Sequence, residues 1–160
     1  MDAVRSVPAG KALDLACGAG RNAVPLASTG WSVTAVDNSS AALELLLQLA
    51  REESAGIDVR QADLEGHEFK IEPESYDLIC TIRYLQRDLF AAIRDGLVPG
   101  GLFVGEVLLV SSGDAAGAEP APFRLTPGEL KSYFPGWQVL FEQTIDHPTH
   151  PTDCLVVRKP

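Results

Sequence analysis

Residues 12–23 read ALDLACGAGRNA, and the fold turns on this stretch. Ala12, Leu13 and Leu15 make an apolar strand with one acid, Asp14, inside it. The strand runs into a glycine-rich turn, Gly18-Ala19-Gly20, and a helix is predicted to follow at once. Fourteen residues beyond the strand, a second one, Trp31 to Val36, ends in Asp37. This is a βαβ unit shaped for a nucleoside. Gly18 and Gly20 let the backbone turn sharply and approach a ligand where a Cβ would collide. Asp37, at the tip of the second strand, can accept hydrogen bonds from both hydroxyls of a ribose. The pattern predicts an adenosine-type ligand and leaves open which one.

The 160 residues are expected to form one domain, 1–160, with enough chain to bury a core. A net charge of −9 repels phosphate backbones, so nucleic acid is not an expected partner, and it mildly favours a cationic ligand. No apolar run reaches membrane-spanning length, so no membrane partner is expected. The start, MDAVRSVPAGK, lacks the apolar stretch of a signal peptide. Cys17, Cys80 and Cys154 form neither a CxxC pair nor a zinc spacing. They read as reduced packing or site-lining thiols of a cytoplasmic protein. No metal site is expected: His147 and His150 form an HxxH in a proline-broken loop without a third ligand.

Beyond the first unit, strand-like and helix-like segments keep alternating. Strands are predicted over 11–16, 31–36, 57–62, 76–81 and 102–110, and two last ones over 137–145 and 154–158. Helices are predicted over 19–29, 40–54 and 88–97, with a short one ending at Phe134. Asn38-Ser39-Ser40 and Asp88 supply helix entries. Thr126-Pro127-Gly128-Glu129 matches a capping box, and Pro99-Gly100-Gly101 reads as a tight turn. Residues 111–122, SSGDAAGAEPAP, read as a loop, either a substrate lid or plain surface slack. The alternation predicts an α/β fold with a doubly wound, mostly parallel, seven-stranded Rossmann-like sheet and an antiparallel terminal strand. Ligands of such sheets bind beyond the carboxyl ends of the strands, where strand order reverses. Cys17 to Asn22, Asp37, Asp63 and Thr81 to Tyr84 sit at those ends and should converge on one crevice.

Gly18-x-Gly20-x-x-Ala23 also fits the relaxed dinucleotide fingerprint, which alone is weak. Two features separate the readings. Asp14, just before the glycine turn, would repel a diphosphate and favour a cation, by ~4 kcal/mol at ~4 Å and an effective dielectric of ~20 before desolvation. Asp63 can accept from an adenine amino group, and Leu64 can cover the ring. The alternative roles are an anchor of the glycine turn for Asp14 and a turn or capping acid for Asp63.

The ordered set ALDLACGAGRNAVPLA, VTAVDNSS, QADLE, YDLICTIRYL and LVPGGLFVGE resembles the class I S-adenosylmethionine-dependent methyltransferases. The GxGRN form is similar to the bacterial branch that includes the tellurite-resistance methyltransferases. The resemblance covers about residues 11–110 well and 123–158 more loosely. It implies that Asp14 lies near the methionine end of the cofactor and that Gly18 and Gly20 pass beside the ribose and methionine portions. It implies further that Asp37 binds the ribose, Asp63 and Leu64 hold the adenine, and backbone at Thr81 and Ile82 approaches the amino-acid moiety. Arg21 and Asn22 would lie at the cofactor carboxylate and helix start, and Ala16 and Asn38 join the cofactor-binding set.

Class I enzymes usually carry a further N-terminal segment that helps close the site, whereas about ten residues precede the first strand here. This predicts a more open site, a site closed by a partner or a second copy, or a shortened version. Pro25 in the first helix predicts a kink unless the helix starts close by. The expected reaction is methyl transfer to a small molecule, yielding S-adenosylhomocysteine. Because the donor is already activated, orientation alone can supply ~7–11 kcal/mol, and a separate acid or base is optional. No N/D-P-P-Y/F segment follows the fourth strand. The residues there, Arg83 and Tyr84, are expected to face the acceptor. Two other readings remain: an NAD-dependent oxidoreductase, favoured only by GxGxxA, and a non-catalytic cofactor-binding subunit that needs a partner.

Overall fold

A computed structural model describes residues 7–110, 123–147 and 149–160. Seven strands form one sheet: β1 (Lys11–Leu15), β2 (Ser32–Asp37), β3 (Ile57–Gln61), β4 (Tyr76–Ile82), β5 (Leu97–Leu108), β6 (Gln138–Ile145) and β7 (Thr152–Arg158). Their order is β3-β2-β1-β4-β5-β7-β6. The pairs from β3 to β5 are all parallel. β7 runs antiparallel to both β5 and β6, so the last strand of the chain is inserted beside the edge rather than at it. The expected doubly wound α/β architecture is present. The chain steps outward from β1 to β3 and then returns to the other side of β1 as β4, which places the reversal of strand order between β1 and β4.

Alternate side chains of each strand face opposite ways. On one face, Ala12, Val33, Ala35, Leu78 and Leu102 pack with α1 (Ala23–Ser28) and α2 (Ser40–Glu52). On the other, Leu13, Leu15, Ile79, Phe103 and Val157 pack with α3 (Leu89–Gly96) and α4 (Glu129–Ser132). There Phe103 stacks on Phe134 at 4.4 Å between ring centroids, and Phe90 stacks on Tyr133 at 4.3 Å. α2 follows its sequence pattern: Leu43, Leu46 and Ala50 are buried, and the Ser39 hydroxyl accepts from the Ala42 N–H at 3.3 Å.

Four local expectations change. α1 begins at Ala23, not near residue 19, because Gly18 (φ 53°) and Gly20 (φ 82°) hold the preceding turn left-handed. Pro25 therefore falls in the first turn of α1, where an N–H has no intrahelical partner to lose. Asp88 makes no capping hydrogen bond to α3, and its carboxylate lies 3.7 Å from His67 instead. Pro99-Gly100-Gly101 does not precede β5 but bulges from within it: Tyr76 pairs with Leu97 and Leu78 with Leu102. The bulge is held by bonds between the backbones of Gly100, Gly101 and Lys159. At Thr126–Glu129 the Glu129 carboxylate reaches back to the Thr126 N–H at 3.0 Å, but Gly128, at φ 79°, immediately precedes the helix. The proposed 111–122 loop lies outside the described residues, as does Pro148 of the HxxH segment.

Candidate cofactor site at the strand reversal

β1 ends in a tightly held loop. The Cys17 N–H donates to the Val36 carbonyl at 3.0 Å, extending the β1–β2 pairing past the strand. The Gly18 N–H then donates to Asp37 Oδ2 at 2.8 Å, and the Ser39 N–H donates to Asp37 Oδ1 at 2.9 Å. A carboxylate offers about four acceptor sites. Asp37 thus joins the glycine loop to the entry of α2 and keeps acceptor capacity on both oxygens. The two glycines differ. A Cβ on Gly20 would meet Leu46 Cγ at 2.7 Å, so α2 packs onto it, whereas a Cβ on Gly18 would meet nothing within 4 Å. The close approach expected at Gly20 is therefore to a core leucine.

A cleft of about 290 Å³ opens beyond the strand ends, lined by Ala16, Asp37, Asn38, Ala62, Asp63, Leu64, Glu65 and Tyr84. Six of these eight are residues singled out from the sequence; Ala62 and Glu65 are not. Glu65 carried a local signal, since its N–H donates to Asp63 Oδ1 at 3.0 Å and closes the turn that presents Asp63. Ala16 lines the cleft at φ 54°, a left-handed conformation that is uncommon outside glycine. The acidic and basic side chains of the lining are all carboxylates, with no lysine, arginine or histidine among them. Tyr84 feels them: burial first, then Glu65, Asp63, Asp88 and Asp37, push its phenol up to about 12.

The other expected residues sit around this cleft rather than in its lining. Asp14 is buried on β1, opposite Cys80 of β4. The Cys80 thiol donates to Asp14 Oδ1 at 3.3 Å, while Oδ2 makes no hydrogen bond of normal geometry to any of the described residues. Burial pushes the Asp14 carboxyl up to about 6; the Cys80 thiol and the Ala23 N–H oppose the shift, and the charge of Asp37 adds to it. Cys17, raised to about 12 by burial and then by Asp14 and Asp37, and Cys80, raised well above its usual value by burial, stay neutral thiols. Neither is an activated nucleophile. Arg21 is exposed and Asn22 immediately precedes α1. Thr81 is buried with its hydroxyl unpartnered among the described residues, and Ile82 is half-buried at the end of β4.

Arg83 and Tyr84 part company. Arg83 adopts φ 59°, its N–H donates to the Glu106 carbonyl at 2.7 Å, and its guanidinium lies 3.1 Å from Glu106 Oε1 on β5. Tyr84 turns into the cleft, and its hydroxyl donates to Gln86 Oε1 at 2.8 Å.

A family model described as "Tellurite resistance protein TehB" matches residues 1–154. The chain belongs to the TehB family. Among curated relatives, it is 31% identical over 163 residues to a protein named Hemagglutinin 1 of Eikenella corrodens, covering 96% of this chain and 52% of that one. It is 27% identical over 159 residues to the protein named probable S-adenosyl-L-methionine-dependent methyltransferase TehB of Haemophilus influenzae, covering 96% and 54%. This TehB-family chain thus spans about half the length of the curated relatives it matches. The crystal structure of TehB from Haemophilus influenzae superposes with a TM-score of 0.82 at 23% identity, over 99% of this chain and 60% of that one. The phosphoethanolamine N-methyltransferase 2 of Haemonchus contortus, solved in complex with S-adenosyl-L-methionine, gives 0.74 at 16% identity, over 95% and 49%. The fold is therefore that of the Rossmann-like S-adenosylmethionine-dependent methyltransferases.

Two expectations follow for the TehB-family glycine loop and Asp14. Gly18→Ala should destabilise the protein only by the left-handed penalty of about 1–2 kcal/mol. Gly20→Ala adds a collision with buried Leu46 and should cost about 2–5 kcal/mol, read as urea midpoints. The folded state holds the Asp14 proton more tightly than the unfolded chain does. The stability carried by protonated Asp14 is therefore present below pH 4 and is lost as the pH rises to about 6. Asp14→Asn should consequently be more stable than the wild type at pH 8, by about 1–3 kcal/mol, and lose that advantage near pH 4, measured by thermal or urea unfolding without ligand.

Proposed function

We propose that this chain binds S-adenosylmethionine in the cleft at the strand reversal and transfers its methyl group to a small-molecule acceptor, leaving S-adenosylhomocysteine. The observation that carries the reading is the charge of the site. Asp37, Asp63 and Glu65 line the cleft with no basic side chain among the lining residues, and Asp14 lies buried beneath the glycine loop with one oxygen unpartnered. Such a site suits a neutral nucleoside joined to a cationic sulfonium and ammonium. It opposes the pyrophosphate of a dinucleotide, which needs backbone N–H groups and positive charge. The Gly18 N–H, the first candidate for a phosphate, is already taken by Asp37.

In this reading the remaining acceptor capacity of Asp37 receives the ribose hydroxyls, with Asn38 and Ala16 beside it. Asp63 accepts from the adenine amino group and Leu64 covers the ring. Gly18, Gly20, Arg21 and Asn22 run beside the methionine portion, with Thr81 and Ile82 on its other side. Asp14 faces the cationic end directly or through water. When bound, the cofactor supplies a methyl group on a positively charged sulfur, ready for in-line displacement. The chain's own task is then alignment and exclusion of water, worth about 7–11 kcal/mol when the reacting groups are held in line. Tyr84 stays a neutral phenol and offers a flat wall rather than a base. Arg83, held by Glu106, is the residue nearest in sequence that can meet an anionic acceptor. We further assign the chain to the cytoplasm as a single domain, 1–160. No helix among the described residues is long and apolar enough to cross a membrane.

Calorimetric titration with S-adenosylmethionine, S-adenosylhomocysteine and NAD tests the reading: micromolar binding of the first two is expected, and binding of NAD alone overturns it. Asp37→Ala removes at least one charge-assisted hydrogen bond and should weaken S-adenosylhomocysteine by about 10- to 150-fold. A loss under threefold refutes the ribose role. A bound cation favours ionised Asp14, so affinity for S-adenosylmethionine should rise as the pH climbs through about 6 and level off above it. Asp14→Asn should flatten that rise.

A further inference from the structure

We infer that Gln86, which lies outside the cleft lining, is a positioning residue that clasps the two walls of the nucleoside cleft together and sets the width of the slot that receives a purine. The inference rests on the cofactor reading above and assigns a role to a side chain that the reading does not use.

Leu64 and Tyr84 are the apolar and aromatic walls of the cleft, one in the segment after β3, the other after β4. Those strands do not pair. β2 and β1 lie between them, so the strands are three spacings, about 14 Å, apart. The two segments reach toward each other over the tops of β2 and β1, and Gln86 bridges them. Its Oε1 accepts from the Tyr84 hydroxyl at 2.8 Å, and its Nε2 donates to the Leu64 carbonyl at 3.2 Å.

Only one orientation of the amide serves both ends. The Leu64 carbonyl can only accept, so it must face the NH2 group, which leaves the amide oxygen for Tyr84. Tyr84, kept protonated by burial and by the surrounding carboxylates, remains a donor throughout the physiological range. The amide thus ties the main chain of one wall to the side chain of the other. A glutamine matches this donor-acceptor pair, and a glutamate matches it only when protonated.

That difference gives the test. S-adenosylhomocysteine affinity is measured for the wild type, Gln86→Ala and Gln86→Glu at pH 4 to 8, with unfolding measured alongside. Gln86→Ala should weaken binding by about 3- to 10-fold, the worth of one neutral hydrogen bond, while the protein stays folded. Gln86→Glu should come closest to the wild type at pH 4, where a glutamate side chain is largely protonated, and fall toward Gln86→Ala at pH 8, with the loss taken relative to the wild type at the same pH. Any contribution from Asp14 is common to the three proteins and cancels in this ratio, and a residue that merely supports the fold would not produce the slope. Wild-type binding with Gln86→Ala within a factor of two, or with Gln86→Glu parallel to the wild type across the range, overturns the clasp and leaves the cofactor reading standing. A wild type that binds no S-adenosylhomocysteine overturns both.

Discussion

The bond from the Gly18 N–H to the Asp37 carboxylate, 2.8 Å long, is the constraint around which the site is built. It ties the loop after β1 to the tip of β2, two of the chain segments that border the cleft. Two other restraints act on the same loop. The Cys17 N–H extends the sheet pairing to Val36, and Leu46 of α2 presses against Gly20 so closely that no Cβ fits. A short left-handed turn has little stability of its own. Pinned from the sheet, from a carboxylate and from a helix, it holds Ala16 at an uncommon backbone angle beside the cleft. Strain of that kind persists only where surrounding structure over-determines it.

Charge is the second organising feature. The chain carries 22 acids against 13 lysines and arginines, and part of that excess is gathered at the strand ends. Asp14 is the telling case. Burying a carboxylate with one oxygen unpartnered opposes stability, and its carboxyl, pushed up to about 6, registers that penalty. Retaining such a group is the kind of trade of stability for function that sites display. Burial first, and then the same carboxylates, drive the Cys17 thiol up to about 12 and keep Tyr84 protonated. The neighbourhood therefore offers no thiolate nucleophile. What it offers is a place where positive charge is welcome and phosphate is not.

The segment after β4 shows how one backbone angle redistributes roles. Arg83 and Tyr84 are adjacent in sequence, and a reading along the chain treats them as a pair facing one ligand. The left-handed φ of Arg83 turns the two apart. The arginine engages Glu106 across the top of β5, and the tyrosine joins Asp37, Asp63 and Leu64 in the cleft. Gln86, two residues on, links that tyrosine back to Leu64. The cleft is thus closed over strands that separate its walls, by side-chain bonds and not by the sheet.

The sequence by itself determined the sheet, its seven strands and the place of the crevice, because each signal is local. Apolar or alternating strand segments, glycines at a tight turn and an acid at a strand tip act through backbone conformation and nearest neighbours. It also named six of the eight residues that line the cleft. Tertiary structure alone decided the rest. The start of α1 depended on left-handed glycines that α2 and Asp37 hold in place, and the Pro99–Gly101 turn became a bulge because β4 pairs with β5 on both sides of it. Gly20 proved to be a packing glycine because Leu46, 26 positions away, lies over it. Asp14 acquired its raised pKa from burial in β1 between β2 and β4, the latter reached only after β3, and Gln86 acquired a partner 22 residues back. Each of these is a long-range contact whose existence depends on which strands become neighbours, and no spacing within a single segment encodes that.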